Sequence, residues 1–185
     1  MTPDVPPSQL ATDILAAASQ LATLGQDDAL DEFWPALSGA LNVAFPHTSC
    51  TVLAYHRPSQ TLLRLYSSRP DVHAAGGRKR VRDGTVWKRT VLDAGDILVG
   101  STRDDIRALF PEYENLWAHG LESILNIPVR RDGVTIGSVN LMNREHAFDD
   151  ADKALAMLFA QLAVAPLEKM SRDMDQVPMG EVQYV

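Results

Sequence analysis

The stretch from Ser123 to Met142 leaves this chain the fewest choices. Ser123-Ile124-Leu125-Asn126-Ile127-Pro128-Val129 reads as one strand, and Val134-Thr135-Ile136-Gly137-Ser138-Val139-Asn140-Leu141-Met142 as its return. Arg131-Asp132-Gly133 lies between them, and Asp-Gly tolerates the positive φ that a tight hairpin turn requires. Gly137 falls mid-strand, where a missing side chain marks close packing against a helix, or a bulge. Leu155, Leu158, Phe159, Leu162 and Met170 then recur at helical spacing, with Asp149 or Asp150 as the expected cap and Pro166 as a bend or stop.

Earlier elements are fainter. Leu10, Ile14, Ala17, Leu21 and Leu24 form one helical stripe, which Ser8 is placed to cap and Gly25 to end. Leu30, Phe33, Trp34, Leu37 and Leu41 form a second stripe, capped by Asp27 or Asp28 and interrupted by Pro35, which should kink it or move its start. Thr51–His56 and Thr61–Tyr66 read as strands joined by the turn residues Arg57-Pro58-Ser59-Gln60. Residues 67–83 read as a loop or a short irregular strand, and 84–93 as a short helix with Val86, Trp87, Thr90 and Val91 on one face. Asp96–Val99 reads as a short strand, followed by one or two short helices between Asp104 and His119, broken at Pro111. Helix, helix, hairpin, variable middle, hairpin, helix is an α+β order. It predicts an antiparallel sheet with the terminal helices on one face and the variable segment on the other. We read residues 1–7 as a disordered leader, 8–172 as one domain and 173–185 as a flexible tail.

Composition removes several classes of function. The formal charge is −7 with 22% charged residues, which argues against a general nucleic-acid surface. The basic run Arg78-Lys79-Arg80 with Arg82 reads as a solvated loop. Cys50 is the only cysteine, so one chain can form no disulfide, Cys-rich zinc site or dithiol cycle. The Pro-rich N-terminus is not a signal peptide, and no apolar run reaches the roughly 20 residues of a membrane span. A soluble, cytoplasmic chain is the expectation.

Residues 124–165 resemble the second half of a GAF domain: a strand ending in Pro-apolar, a tight turn at Asp132-Gly133, the apolar-Gly strand around Gly137, then Phe148 and Asp152 before an apolar helix. Asn143-Arg144, Phe148 and Asp152 further resemble the Asn-Lys…Phe-x-x-x-Asp-Glu signature of cyclic-nucleotide phosphodiesterase GAF domains. Here Arg144 stands for Lys and Lys153 for Glu. The resemblance implies a structural ion pair between Arg144 and Asp152, which supports the fold more than it supports a cyclic nucleotide.

A GAF pocket lies between the sheet and the variable segment. By that analogy Tyr55, Tyr66, Trp87, Thr102, Phe110, Tyr113, Trp117 and Ser123 line it, and several are amphipathic aromatics suited to a flat organic ligand. Filling of a second, smaller core by these same residues stays open. Cys50, at the start of the first strand, reads as a structural thiol: bilin-binding relatives attach through the later variable region, and the family's methionine-(R)-sulfoxide reductase needs two cysteines. His47, His56, His73, His119 and His146 show no metal-ligand spacing; His73 or His119 would be the haem-ligand candidates, with a surface or capping role preferred. Asp104-Asp105 and Asp149-Asp150 read as helix caps.

A GAF-type sensing or protein-interaction module follows, with no catalytic residues, metal or cofactor expected and no fused output domain. Its expected ligand is an unidentified small organic molecule. Ala18, Leu158 and Leu162 exceed what one helix face can bury, so a homodimer through the terminal helices is expected, and a protein partner is a further expectation. A small-metabolite enzyme using the same pocket, or a purely structural dimerisation domain, are the alternatives.

Overall fold

Antiparallel pairing organises the molecule. The computed structural model describes residues 7–25, 30–171 and 183–184, so most of the expected leader and tail, and the Asp27 or Asp28 cap, lie outside the described residues. The elements are α1 (Pro7–Leu24), α2 (Leu30–Ala44), β1 (Ser49–His56), β2 (Thr61–Ser67), β3 (Arg78–Arg80), a π-helical segment (Lys88–Ala94), β4 (Leu98–Gly100), α3 (Arg103–Leu109), α4 (Tyr113–Ala118), β5 (Ser123–Arg131), β6 (Val134–Asn143), α5 (Lys153–Leu162), α6 (Val164–Ser171) and β7 (Gln183–Tyr184). The sheet order is β4-β5-β6-β1-β2-β3-β7. Every pairing is antiparallel except that of the short edge strand β7 with β3. This is the expected α+β architecture.

The β5–β6 hairpin forms as its turn chemistry dictates. Asp132 (φ 49°) and Gly133 (φ 77°) are both left-handed, and Arg131 faces Val134 across them. On one face of the sheet Cys50, Val52, Ala54, Leu125, Ile127, Val129, Val139 and Leu141 meet Phe33, Leu37 and Leu41 of α2, Phe159 of α5 and Leu167 of α6 in the main core. Trp34 also donates its indole N–H to the Met170 sulfur at 3.0 Å, linking α2 to α6. Gly137 sits at the tightest point. It pairs with both Ala54 and Val129, and a Cβ there would lie 2.3 Å from the Leu53 carbonyl oxygen and 2.6 Å from Leu167 Cδ1.

Several local expectations are revised. Helix α1 starts at Pro7, ahead of Ser8, and α2 runs through Pro35. The segment expected as an α-helix over 84–93 is largely π-helical and ends where the Gly95 N–H meets the Thr90 carbonyl. The basic run is a paired strand, not a solvated loop: Arg78, Lys79 and Arg80 face Leu63, Leu62 and Thr61. The last helix breaks at Ala163 into α5 and α6, bent by 46°. Pro166 lies in the first turn of α6, where no intrahelical N–H is needed. Asp152, not Asp149 or Asp150, caps α5, accepting from Ala154 N at 3.0 Å and Leu155 N at 3.1 Å. That use of the carboxylate replaces the ion pair expected with Arg144, whose backbone N–H donates to Asn143 Oδ1 at 2.9 Å. Asp149 instead pairs with His146 at 2.8 Å. Among the described residues, no single helix is long and apolar enough to cross a membrane.

Gly137→Ala forces its new methyl into a backbone oxygen that cannot step aside. We expect a loss of about 3 kcal/mol or more in urea unfolding, at the upper end for an overpacked core. A loss below about 1 kcal/mol would show that β6 can move away from β1 at little cost.

Candidate functional site

The other face of the sheet does not have one core but two small ones. Leu62, Val81, Trp87, Val91 and Leu92 form the first, against Leu53 and Tyr55. Ile106, Leu116, Leu121, Ile124 and Met142 form the second, against Phe110, Tyr113 and Trp117. Thr135 fixes the π-helical segment to β6 through a 3.0 Å hydrogen bond to the Val91 carbonyl. Thr102 and Asp105 fix the start of α3 as a reciprocal capping box. Between the two small cores lies a cavity of about 60 Å³. Its walls are Leu53, Leu62, Trp87, Phe110, Leu116, Ile124 and Met142, with Thr51, Asn126 and Asn140 on the sheet side and Arg64, His73, Lys79 and Glu112 also lining it.

Thr51, Asn140 and Asn126 form a polar rung across three adjacent strands, since Asn140 is the register partner of both others. The rung has a fixed direction. The Thr51 carbonyl only accepts, so Asn140 turns its Nδ2 toward Thr51 O (3.4 Å) and Oγ1 (3.3 Å). Asn140 Oδ1 then receives Asn126 Nδ2 at 2.6 Å. What remains is Asn126 Oδ1, on a residue only 2% exposed, with no partner among the described residues. An unmet buried acceptor costs about 1–3 kcal/mol.

The charged end is arranged differently. Lys79 of β3 forms a hydrogen-bonded ion pair with Glu112, which begins α4. Burial, the largest influence on Glu112, pushes its pKa up, but the charge and hydrogen bond of Lys79 outweigh it and hold the carboxyl below its usual range. Arg64 donates to the Ala74 carbonyl at 3.0 Å. Arg64 Nε and His73 Nδ1 are buried with no hydrogen-bond partner. Burial, then Arg64 and Lys79, push the His73 pKa down to about 4, so the ring is neutral at pH 7. Arg64, His73, Lys79 and Glu112 also border an open cleft of about 810 Å³, lined in addition by Arg78 and Arg82. Among the described residues, four cationic side chains and one carboxylate line this cleft.

Of the eight residues expected to line the pocket, Trp87 and Phe110 do so. Tyr55 faces the same side of the sheet but packs against the cluster around Trp87. Tyr66 is turned to the opposite face. A bulge pairs Val52 with Tyr66 and Leu53 with Arg64, leaving Leu65 as the extra residue, so Tyr66 packs on the main core. Thr102 is used as a cap. Tyr113 and Trp117 pack edge to face at 4.7 Å, with the Arg103 guanidinium 4.3 Å from the Trp117 ring centre. Ser123 donates to the Arg144 carbonyl at 2.5 Å. Sequence reasoning missed Thr51, Arg64, Lys79, Glu112, Asn126 and Asn140. The readable signal was the two asparagines inside otherwise apolar strands.

The remaining candidates are structural. Cys50 is wholly buried, and burial pushes its thiol up to about 12, away from nucleophilic use. His119 Nδ1 bonds the Asn115 carbonyl at 2.8 Å. Among the described residues, no group of three or more His, Cys, Asp or Glu side chains is placed to hold a metal ion.

An antiparallel sheet with a helical core on one face and a partly polar cavity under short helices on the other defines the class of this α+β domain. The chain belongs to the GAF domain family, whose sequence model matches residues 9–168. No curated protein sequence matches it. Among solved structures, it is similar to the GAF domain of a phosphoenolpyruvate-protein phosphotransferase from Coxiella burnetii, with TM-score 0.66 and 16% identity over 90% of this chain and 99% of that one. It is also similar to the GAF domain of a two-component sensor histidine kinase from Bacillus halodurans, with TM-score 0.59 and 18% identity over 77% of this chain and 95% of that one. A third similar structure is the chromophore-binding domain of a bacteriophytochrome from R. palustris, with TM-score 0.60 and 10% identity over 92% of this chain and 63% of that one. At these identities the likeness is one of fold.

The depressed His73 pKa has a signed consequence. Between about pH 6.5 and 4 the unfolded chain binds a proton that the folded one refuses, so stability falls as pH falls through that window. We expect the urea midpoint of the wild type to drop more from pH 7 to pH 5 than that of His73→Gln. Parallel drops would show that His73 titrates normally in the folded state.

Proposed function

We propose that this GAF domain is a sensory module whose input is a small organic molecule held in the cavity between the sheet and its covering helices. The observation that supports the reading is the polar rung. A face that served only to pack would do better with apolar residues at Thr51, Asn126 and Asn140 than with a buried network left incomplete at Asn126 Oδ1. The cavity size limits how such a molecule enters. An engineered protein cavity of about 150 Å³ takes up benzene, so about 60 Å³ admits only a small fragment. A larger molecule must shift the Lys79–Glu112 pair and extend into the cleft.

Thermal-shift screening of a metabolite panel tests this. A true ligand at about 100 times its Kd stabilises the fold by about 2.7 kcal/mol. We expect a rise in Tm for the wild type that is absent in Leu116→Phe, a variant that fills the cavity and whose folding is checked by near-UV circular dichroism. A panel in which every positive compound shifts both proteins equally would remove the cavity from the reading.

The exposed residues of the terminal helices support a second element of the proposal, a homodimer. Leu15 of α1 is 69% exposed, Leu10 38% and Leu158 of α5 50%, and α1 and α5 lie in contact. A second copy covering these side chains would carry the signal to the helices furthest from the cavity, in a setting where one buried thiol suits a reducing cytoplasm. Light scattering should give a dimer for the wild type and a monomer for the double variant Leu15→Glu, Leu158→Glu. A wild-type monomer at high concentration would end the idea.

A further inference from the structure

The chemistry lining the cavity has an order. A donor is wanted at one place, where Asn126 Oδ1 lacks a partner. Acceptors are wanted at another, where Arg64 Nε is buried without one and the Lys79 amino group sits on a side chain only 14% exposed. Apolar walls from Trp87 and Leu116 join the two. The need at Lys79 is met from within the chain, because Glu112 brings a carboxylate onto its ammonium group. A carboxylate is therefore a group this entrance already accommodates, and it belongs to the corner between α3 and α4 rather than to the sheet.

We propose that the ligand of this site is a small organic carboxylate carrying a hydrogen-bond donor at its far end, and that Glu112 is its built-in competitor. The ligand's carboxylate takes the place of Glu112 on Lys79, with Arg64 as the second cation, while its donor reaches Asn126 Oδ1. Glu112 is expelled into the open cleft that it already borders. The corner at Pro111-Glu112 loses its tie to β3, so occupancy is reported as a release of α4. This inference rests on the reading of the cavity as a ligand site and adds the chemical class and the displaced group.

Competition by an internal group predicts an unusual gain. If the latch is closed in most molecules, removing it raises affinity by the inverse of the open fraction, about 10-fold for a latch open one-tenth of the time. Titration calorimetry on the whole chain would use three probes: 4-hydroxyphenylacetate, its primary amide, and phenylacetate, which lacks the far donor. We expect the hydroxy acid to bind best and the amide and phenylacetate each about 10-fold more weakly, a loss typical of one unmatched buried polar group. Glu112→Gln should tighten the acid about 10-fold, and Lys79→Met should erase the preference for acid over amide. Glu112→Ser serves as a second variant should Glu112→Gln fail to fold. An acid affinity that is unchanged or weaker in the folded Glu112 variant overturns the inference. Equal binding of acid and amide, both blocked by Leu116→Phe, overturns the carboxylate class and leaves the cavity as a ligand site. Binding by none of the three probes overturns the inference as well, and the cavity reading then depends on the metabolite panel alone.

Discussion

The approach of β6 to β1 and α6 at Gly137 sets the distances from which everything else is built. A methyl at that point would meet a backbone oxygen at 2.3 Å, so the three central strands and the last helix can pack as they do only around a residue with no side chain. The same strands carry Asn140 and Asn126 on their other face. Positions of the polar rung are therefore inherited from the packing of the main core. A site placed on central strands gains rigidity in this way, because its geometry is held by the most buried part of the molecule.

The two faces of the sheet differ in kind. The helix face is one continuous core of Leu, Val, Phe and Ala side chains. The other face is divided into two small clusters, and the gap between them contains the cavity. Short elements cover it: a π-helical segment held at Thr135, α3 held by its capping box, and α4 tied to β3 through Glu112. Each tie is a hydrogen bond or an ion pair added to one of two small apolar clusters rather than to one continuous core, so this layer can rearrange at lower cost than the main core.

Legibility in the sequence followed the range of the forces involved. The β5–β6 hairpin could be read because its turn and its alternation are local. The antiparallel sheet and the two-sided arrangement of helices followed from element order. Arg64, His73, Lys79 and Glu112 could not be read as one site, because only the folding of β2, β3 and the α3–α4 corner brings them together. Tyr66 was placed in the pocket by the family analogy, which carries no sign of the bulge at Leu65 that turns it to the main core. Asp152 was read through a family pattern as an ion-pair partner, while its position before α5 gave it two backbone N–H groups to accept. Asn126 and Asn140 stood in plain view as polar residues in apolar strands.

The extra residue in β2 has a consequence for how this site can be inherited. Since Leu65 has no register partner, an in-frame deletion of its codon would leave Leu53 opposite Arg64 and Val52 opposite Tyr66. The guanidinium would keep its place beside the cavity and the tyrosine its place in the main core, and only the contacts of Leu65 itself would be lost. An insertion or deletion elsewhere in the strand would exchange the two faces and bury a charge. A lineage can therefore change the length of β2 at this one position and keep its binding site.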